Sequence, residues 1–182
     1  MNELLDYALR LGLLCGLSGG LLGWVHSKTA PIKEARQLEE REEAKREVFP
    51  LPVGGRFEQR SADGLKYARA LDSEGDLVGC VFTAKGSGYG GALEIMVGMD
   101  LDGTLRGAQV MSQKETPGSG AKIEEMAPNW FSDGNVEDLS LARYGGAVDA
   151  ISGATITSEA AVRAVRETGM KVRELLEKEG ES

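Results

Sequence analysis

YARALDSEGDLVGCVFTAKGSGYGGALEIMVGMDLDGTLRGAQVM, residues 67–111, is the most regular segment of the chain. Hydrophobic residues recur in it with a period of two, which is the spacing of a strand with one buried face. The pattern predicts strands at residues 67–71, 77–83, 93–99 and 105–111. Because the short connections are rich in glycine, aspartate and serine, we expect tight turns and an antiparallel meander.

The chain ends in an amphipathic helix, predicted at about residues 157–178. Hydrophobic residues recur there at three- and four-residue spacing, and charged residues fill most of the other positions. The apolar stripe consists of Ala161, Val165, Thr168, Val172, Leu175 and Leu176. A broken pattern with Trp130 and Phe131 separates this helix from the last strand. Strands followed by a packed terminal helix predict an α+β domain.

An apolar segment near the amino terminus predicts a single membrane-spanning helix. Residues 11–25, LGLLCGLSGGLLGWV, carry no charge, and extension to residues 7–27 reaches the roughly 20 residues that such a helix needs. A buried core helix is an alternative, but the charged run that follows makes it a poor fit. A cleaved signal peptide is another, and the acidic residues Glu3 and Asp6 argue against it, since signal peptides begin with a basic region.

Gly12, Gly16 and Gly20 are spaced four residues apart within this anchor. Small residues at that spacing let helix backbones approach closely in lipid, which predicts a partner helix. The alternative is that glycine is simply common in membrane helices.

Residues 29–47 alternate positive and negative charges and predict an exposed helical stalk, with Pro31 in its first turn. We therefore divide the chain into a membrane anchor (1–27), a helical stalk (28–50) and a folded domain (51–182).

Composition limits the possible chemistry. The chain has 21 Lys+Arg against 29 Asp+Glu and a net charge of −8, which argues against nucleic-acid binding. With a single histidine, His26, and two cysteines, Cys15 and Cys80, it offers few ligands for a metal centre. Cys80 falls on a predicted strand, where packing is a better interpretation than redox chemistry. Redox activity would therefore require an organic cofactor or a partner.

Two segments differ from ordinary scaffold. KETPGSG, residues 114–120, follows a strand, and its glycines would let the backbone approach a flat or anionic ligand; a plain surface turn is the alternative. DAISGATITS, residues 149–158, leads into the last helix and is rich in hydroxyl groups at a position where backbone N–H groups lack partners. One hydroxyl would suffice as a helix cap, so the pattern favours an anion site. The hydroxyl groups belong to Ser152, Thr155, Thr157 and Ser158.

DAISGAT resembles the flavinylation motif Asp-x-x-Ser/Thr-Gly-Ala-Thr of membrane-bound redox complexes, and ETPGSG resembles the ETPGLG segment of the same FMN-binding domains. The GYGG segment, residues 88–91, also has a counterpart there. In its order of motifs the chain resembles the family of G subunits of Rnf ion-translocating electron transport complexes. The related family of C subunits of sodium-pumping NADH:quinone reductases is the second possibility. Ser119 departs from the leucine that is common in the family.

The resemblance implies a role for each matching residue. Thr155 would carry FMN through a phosphoester, made from FAD by a flavin transferase. Four neighbours would be read by the transferase or would line the phosphate: Asp149, Ser152, Gly153 and Ala154. Thr157 would cap the helix or contact the phosphate. The flavin pocket would be formed by Glu115, Thr116, Gly118 and Gly120, with Tyr89 and Lys122 as further candidates.

The resemblance also implies a function, an electron-transfer subunit of a ferredoxin:NAD oxidoreductase that moves Na⁺ or H⁺. Its partners would be the other Rnf subunits and the flavin transferase. The FMN domain would lie on the outer face of the bacterial inner membrane, although a simple count of Lys and Arg favours the cytoplasm. A membrane-tethered assembly module without redox turnover is the alternative from another class of function.

Overall fold

The computed structural model describes residues 2–132 and 134–180. The chain divides into two compact units, Met1–Glu42 and Glu43–Ser182. The limits 1–27, 28–50 and 51–182 expected from the sequence stay a prediction.

Helix α1 runs without interruption from Asn2 to Val48. Within it, Tyr7–Ala30 is long and apolar enough to cross a membrane. The expectation of a second helix that begins near Pro31 is wrong, since the helix continues through that position. The apolar segment before Pro31 and the charge-alternating segment after it each favour a helix, and one proline between them does not end it.

The second unit contains a five-stranded antiparallel sheet in the order β1-β2-β3-β4-β5. This confirms the predicted meander and adds β1, an edge strand in which charged and polar residues obscured the alternation. The strands are β1 Arg56–Ala62, β2 Leu65–Leu71, β3 Leu77–Ser87, β4 Ala92–Asp100 and β5 Leu105–Gln113.

Two α-helices and one 3₁₀ turn complete the second unit. Helix α2 (Ile123–Trp130) was not predicted, because Pro128 lies inside it and interrupts the sequence pattern. The 3₁₀ turn spans Ala142–Tyr144. Helix α3 (Thr155–Gly180) confirms the expected terminal helix, but it begins at Thr155 rather than at residue 157.

Helix α3 packs on one face of the sheet and forms the main core. Val165 and Val172 of α3 are completely buried, as are Phe82 and Ile95 of the sheet. Cys80 lies in the same core, so the expectation that it packs in a strand is confirmed. Its thiol is free, and burial raises the pKa of that thiol to about 12.

The opposite face of the sheet is covered by the end of α1. Val48 and Phe49 pack there with Val81 and Met96. A Cβ atom at Gly98 would overlap the carbonyl oxygen of Val48, so glycine at this position is a packing requirement.

Replacing Gly98 with alanine should destabilise the second unit, because the added methyl group meets backbone rather than a flexible side chain. We expect a loss of about 1–3 kcal/mol in the free energy of unfolding, measured by denaturant titration. The matched control is Gly107→Ala, whose Cβ would lie 3.2 Å from the same oxygen. Equal effects of the two substitutions would contradict this account of the packing.

The Cys80 thiol should resist alkylation in the native protein. The thiolate is the reactive form, and a pKa of about 12 together with complete burial leaves little of it accessible at pH 8. In a Cys15→Ser background, mass spectrometry after iodoacetamide treatment should detect modification only after denaturation. Rapid labelling of the folded chain would show that this part of the core opens readily.

Candidate functional site

Segments that are far apart in the sequence meet at one cavity of about 600 Å³ in the second unit. One wall follows β5, another is the start of α3, and the turn between β3 and β4 closes the site. The volume falls within the range of small-molecule and cofactor pockets. The lining residues are Tyr89, Glu115, Thr116, Pro117, Ser119, Gly120, Gly153, Ala154, Thr155, Ile156 and Thr157.

The start of α3 is fixed by a local hydrogen-bond network around Ser158. The hydroxyl of this fully buried serine donates to the carbonyl oxygen of Ala154 at 3.0 Å and accepts from the N–H of Ile151 at 3.0 Å. Gly153, just before the helix, has a φ of +78°, a conformation that favours glycine. The network therefore defines where the helix begins and leaves Thr155 half-buried at its first position.

The N-terminus of α3 is suited to an anion. By helix geometry, the N–H groups of Thr155, Ile156 and Thr157 have no acceptor within the helix. Together with the helix dipole, they favour a negatively charged group at this end. No acidic residue lies in the first turn of the helix. A phosphate at the Thr155 hydroxyl would therefore fit the electrostatics of the site.

A buried carboxylate, Glu115, lies beneath the cavity and is only 8% exposed. Its Oε2 atom accepts hydrogen bonds from the N–H of Gly90 at 3.0 Å and from the hydroxyl of Thr157 at 2.9 Å. Its own N–H donates to Oε1 of Gln113 at 2.6 Å. The Oε1 atom of Glu115 is buried and accepts no hydrogen bond from the described residues.

These contacts correct two sequence interpretations. Thr157 neither caps the helix with its hydroxyl nor offers that hydroxyl to a ligand, because the side chain is fully buried and donates to Glu115. The Ser158 hydroxyl is likewise not available to a ligand, because it is buried and donates to the carbonyl oxygen of Ala154. Of the four hydroxyl groups that suggested an anion site, those of Ser152 and Thr155 remain accessible.

Three of the larger side chains that line the cavity are exposed. Tyr89 is 76% exposed and Ile156 is 58% exposed, and Pro117 lies in the same lining. Ile156 and Pro117 were not among the pocket residues expected from the sequence. For Ile156 a signal was present, because it falls outside the apolar stripe of α3 and yet is a large hydrophobic residue next to Thr155.

The structure does not bring every predicted residue to the cavity. Asp149 and Ser152 are exposed and lie outside its lining. Lys122 is exposed at the start of α2, and it does not line the cavity either. Gly118 has a φ of +100°, so it contributes to the shape of the loop, but it does not line the cavity. The other predicted residues line the cavity: Tyr89, Glu115, Thr116, Gly120, Gly153, Ala154, Thr155 and Thr157.

The profile of the FMN-binding domain family matches residues 88–168, a range that contains the whole cavity lining. Over 174 residues the chain is 34% identical to the G subunit of the ion-translocating oxidoreductase complex of Methanosarcina acetivorans, and the match covers 90% of this chain and 92% of that protein. The chain belongs to the G-subunit family of ion-translocating oxidoreductase complexes. The G subunit from Vibrio vulnificus is 42% identical over 89 residues, which are 44% of this chain and 42% of that protein.

A solved structure supports the fold of this member of the G-subunit family. NqrC of Shewanella oneidensis aligns with a TM-score of 0.50 and 21% identity, covering 72% of this chain and 74% of that one. This similarity confirms the α+β architecture of sheet and terminal helix. The expected resemblance to the G-subunit family is confirmed by the comparison with Methanosarcina acetivorans.

Proposed function

We propose that this chain is an FMN-carrying electron-transfer subunit of a membrane-bound, ion-translocating oxidoreductase, with FMN attached covalently to Thr155. The observation that carries the proposal is the cavity in which the SGAT and ETPGSG segments meet, with the Thr155 hydroxyl at the first position of α3. Its family membership and the FMN-binding profile support FMN as the ligand.

The residues of the cavity fit the parts of FMN. The unpaired N–H groups at the start of α3 suit the phosphate, and Gly153 allows the backbone to approach it closely. The exposed side chains of Tyr89, Pro117 and Ile156 in the lining suit a flat aromatic ring system. When bound, FMN would supply one- and two-electron redox chemistry, while the protein supplies position and electrostatics.

Attachment would consume FAD and require a flavin transferase. The Thr155 oxygen would form a bond to the FMN phosphorus of FAD, the phosphoanhydride bond would break, and AMP would leave. The hydroxyl proton would pass to a base of the transferase. A covalent link would keep the flavin on the protein in a compartment where it could not readily be replaced.

Membrane attachment through Tyr7–Ala30 follows from the same proposal. The other subunits of the complex would be the electron donor, the acceptor and the partners of this helix. We propose that the FMN domain lies on the outer face of the membrane, as the resemblance to the family implies. The count of Lys and Arg favours the cytoplasm, but the interleaved acidic residues of 29–47 make those basic residues part of a helix pattern rather than a topology signal.

Thr155→Val should abolish covalent FMN while leaving the domain folded. The change removes one half-buried hydroxyl, so we expect the free energy of unfolding to change by no more than about 1 kcal/mol. The measurement is flavin fluorescence of the denatured chain in a gel after co-expression with the flavin transferase. Thr168→Val, a half-buried threonine on the same helix, is the matched control and should fluoresce as the wild type does. Fluorescence that persists in Thr155→Val would contradict attachment at this residue.

The outer-face location predicts that a cysteine at residue 53 reacts with a membrane-impermeant maleimide in intact spheroplasts. Val53 is 99% exposed, and the buried Cys80 would contribute little background. The control is Arg10→Cys, which lies at the other end of the apolar segment and should be labelled only after the membrane is opened. The reverse pattern would place the domain in the cytoplasm.

A further inference from the structure

Glu115 is the one charged residue, among the described residues that line the cavity, whose side chain is buried. Carboxylates are seldom buried to this degree, because removing the charge from water is costly without strong compensation. Here the compensation comes from the hydrogen bonds of Gly90 and Thr157 and from the positive end of the α3 dipole. The free-energy cost of burying the Glu115 carboxylate therefore calls for a structural or functional explanation.

The glycines around the cavity make room for this side chain. A Cβ atom at Gly88 would overlap Oε1 of Glu115, and one at Gly120 would lie 2.7 Å from Cβ of Glu115. Gly90 instead makes room for the backbone, since a Cβ atom there would overlap the carbonyl oxygen of Lys114 and lie 2.8 Å from the Cα of Glu115. The GYGG turn and the ETPGSG loop are therefore built around the same carboxylate.

The carboxylate also fixes the first turn of α3. Its hydrogen bond to Thr157 joins residues 42 positions apart, and its hydrogen bond to Gly90 joins residues 25 positions apart. Thr157 lies two residues after Thr155, so a rotation or a shift of the first turn would move both. Oε1 is covered by Gly88 rather than open to the cavity, which argues against direct contact between Glu115 and a ligand.

We infer that Glu115 is a positioning residue for flavin attachment, which holds the first turn of α3 and the 88–91 turn so that the Thr155 hydroxyl is presented to the flavin transferase. The inference rests on the proposed function. In this role Glu115 does not contact the flavin. Its carboxylate acts on the position of Thr155 through the hydrogen bond from Thr157.

The test uses the full-length chain, purified without flavin and incubated with FAD and the flavin transferase, with the initial rate of adduct formation followed by intact-mass spectrometry. Glu115→Ala and Thr157→Val each remove the link, and we expect the rate to fall by about tenfold or more, as small displacements of a reacting group do. Glu115→Gln keeps an acceptor for both donors and has no partner to lose at Oε1, so its rate should stay within about threefold of the wild type. Thr157→Ser keeps the hydroxyl that donates to Glu115, so its rate should also stay close to that of the wild type.

Peptide mapping should find the residual adduct of Glu115→Ala and Thr157→Val on Thr155, and these two variants should show an unchanged KM for FAD and a reduced kcat. The matched control is Glu125→Ala, the loss of an exposed carboxylate on α2, which should react as the wild type does. The melting temperature of each flavin-free variant is measured in parallel. If Glu115→Ala does not fold, the pair Thr157→Val and Thr157→Ser decides the question.

Wild-type rates in both Glu115→Ala and Thr157→Val would overturn the inference, and so would equal losses in Thr157→Val and Thr157→Ser. Either result leaves attachment at Thr155 intact. Failure of the proposed function has a different signature, which is the absence of an adduct on Thr155 in the wild-type chain.

Discussion

The hydrogen bonds to the buried Glu115 carboxylate hold the candidate site together. They connect a turn between two strands, a loop after the last strand and the first turn of the terminal helix. Without this carboxylate, those three segments would share a cavity but have no common polar contact. The glycines on either side follow from the same constraint, because a side chain at Gly88 or Gly120 would occupy the space of Glu115.

Two anionic groups would share the start of α3 in the proposed holoprotein. Glu115 approaches from inside through Thr157, and the phosphoester on Thr155 would lie on the accessible side. The unpaired N–H groups of the first turn can compensate for the phosphate because Glu115 takes its hydrogen bonds from a hydroxyl and from the Gly90 amide. The arrangement thus separates the donors that stabilise the fold from those that remain for a ligand.

The sequence predicted most of the fold because its main signals are local. The hydrophobic pattern of β2 to β5 and the apolar stripe of α3 each repeat within one segment, so a periodic pattern reveals them without knowledge of the tertiary contacts. Strand β1 was not predicted because charged residues fill most of one face and Phe57 is the only large hydrophobic residue on the other, which leaves no hydrophobic alternation. Helix α2 was not predicted because Pro128 interrupts its sequence pattern. The packing of Ile123, Ala127 and Trp130 in the core stabilises this helix despite the proline.

The site was predictable as two motifs but not as a geometry. Spacing and residue type pointed to the 114–120 and 149–158 segments, and the resemblance to FMN-binding domains supplied Thr155. Neither the motifs nor the resemblance could show that the Thr157 side chain contacts Glu115. That contact depends on how a loop packs against a helix, and the two residues are 42 positions apart in the sequence. The exposed Ile156 in the cavity lining likewise becomes meaningful only beside Tyr89 and Pro117.

The most direct measurement of the central claim is tandem mass spectrometry of proteolytic peptides from the wild-type chain, isolated from cells that contain the flavin transferase. We expect one peptide that spans residues 149–163 and carries the mass of FMN, with fragment ions that place it on Thr155. An FMN adduct on Ser152 or Thr157, or an unmodified peptide from a chain that has lost its flavin on denaturation, would contradict the account.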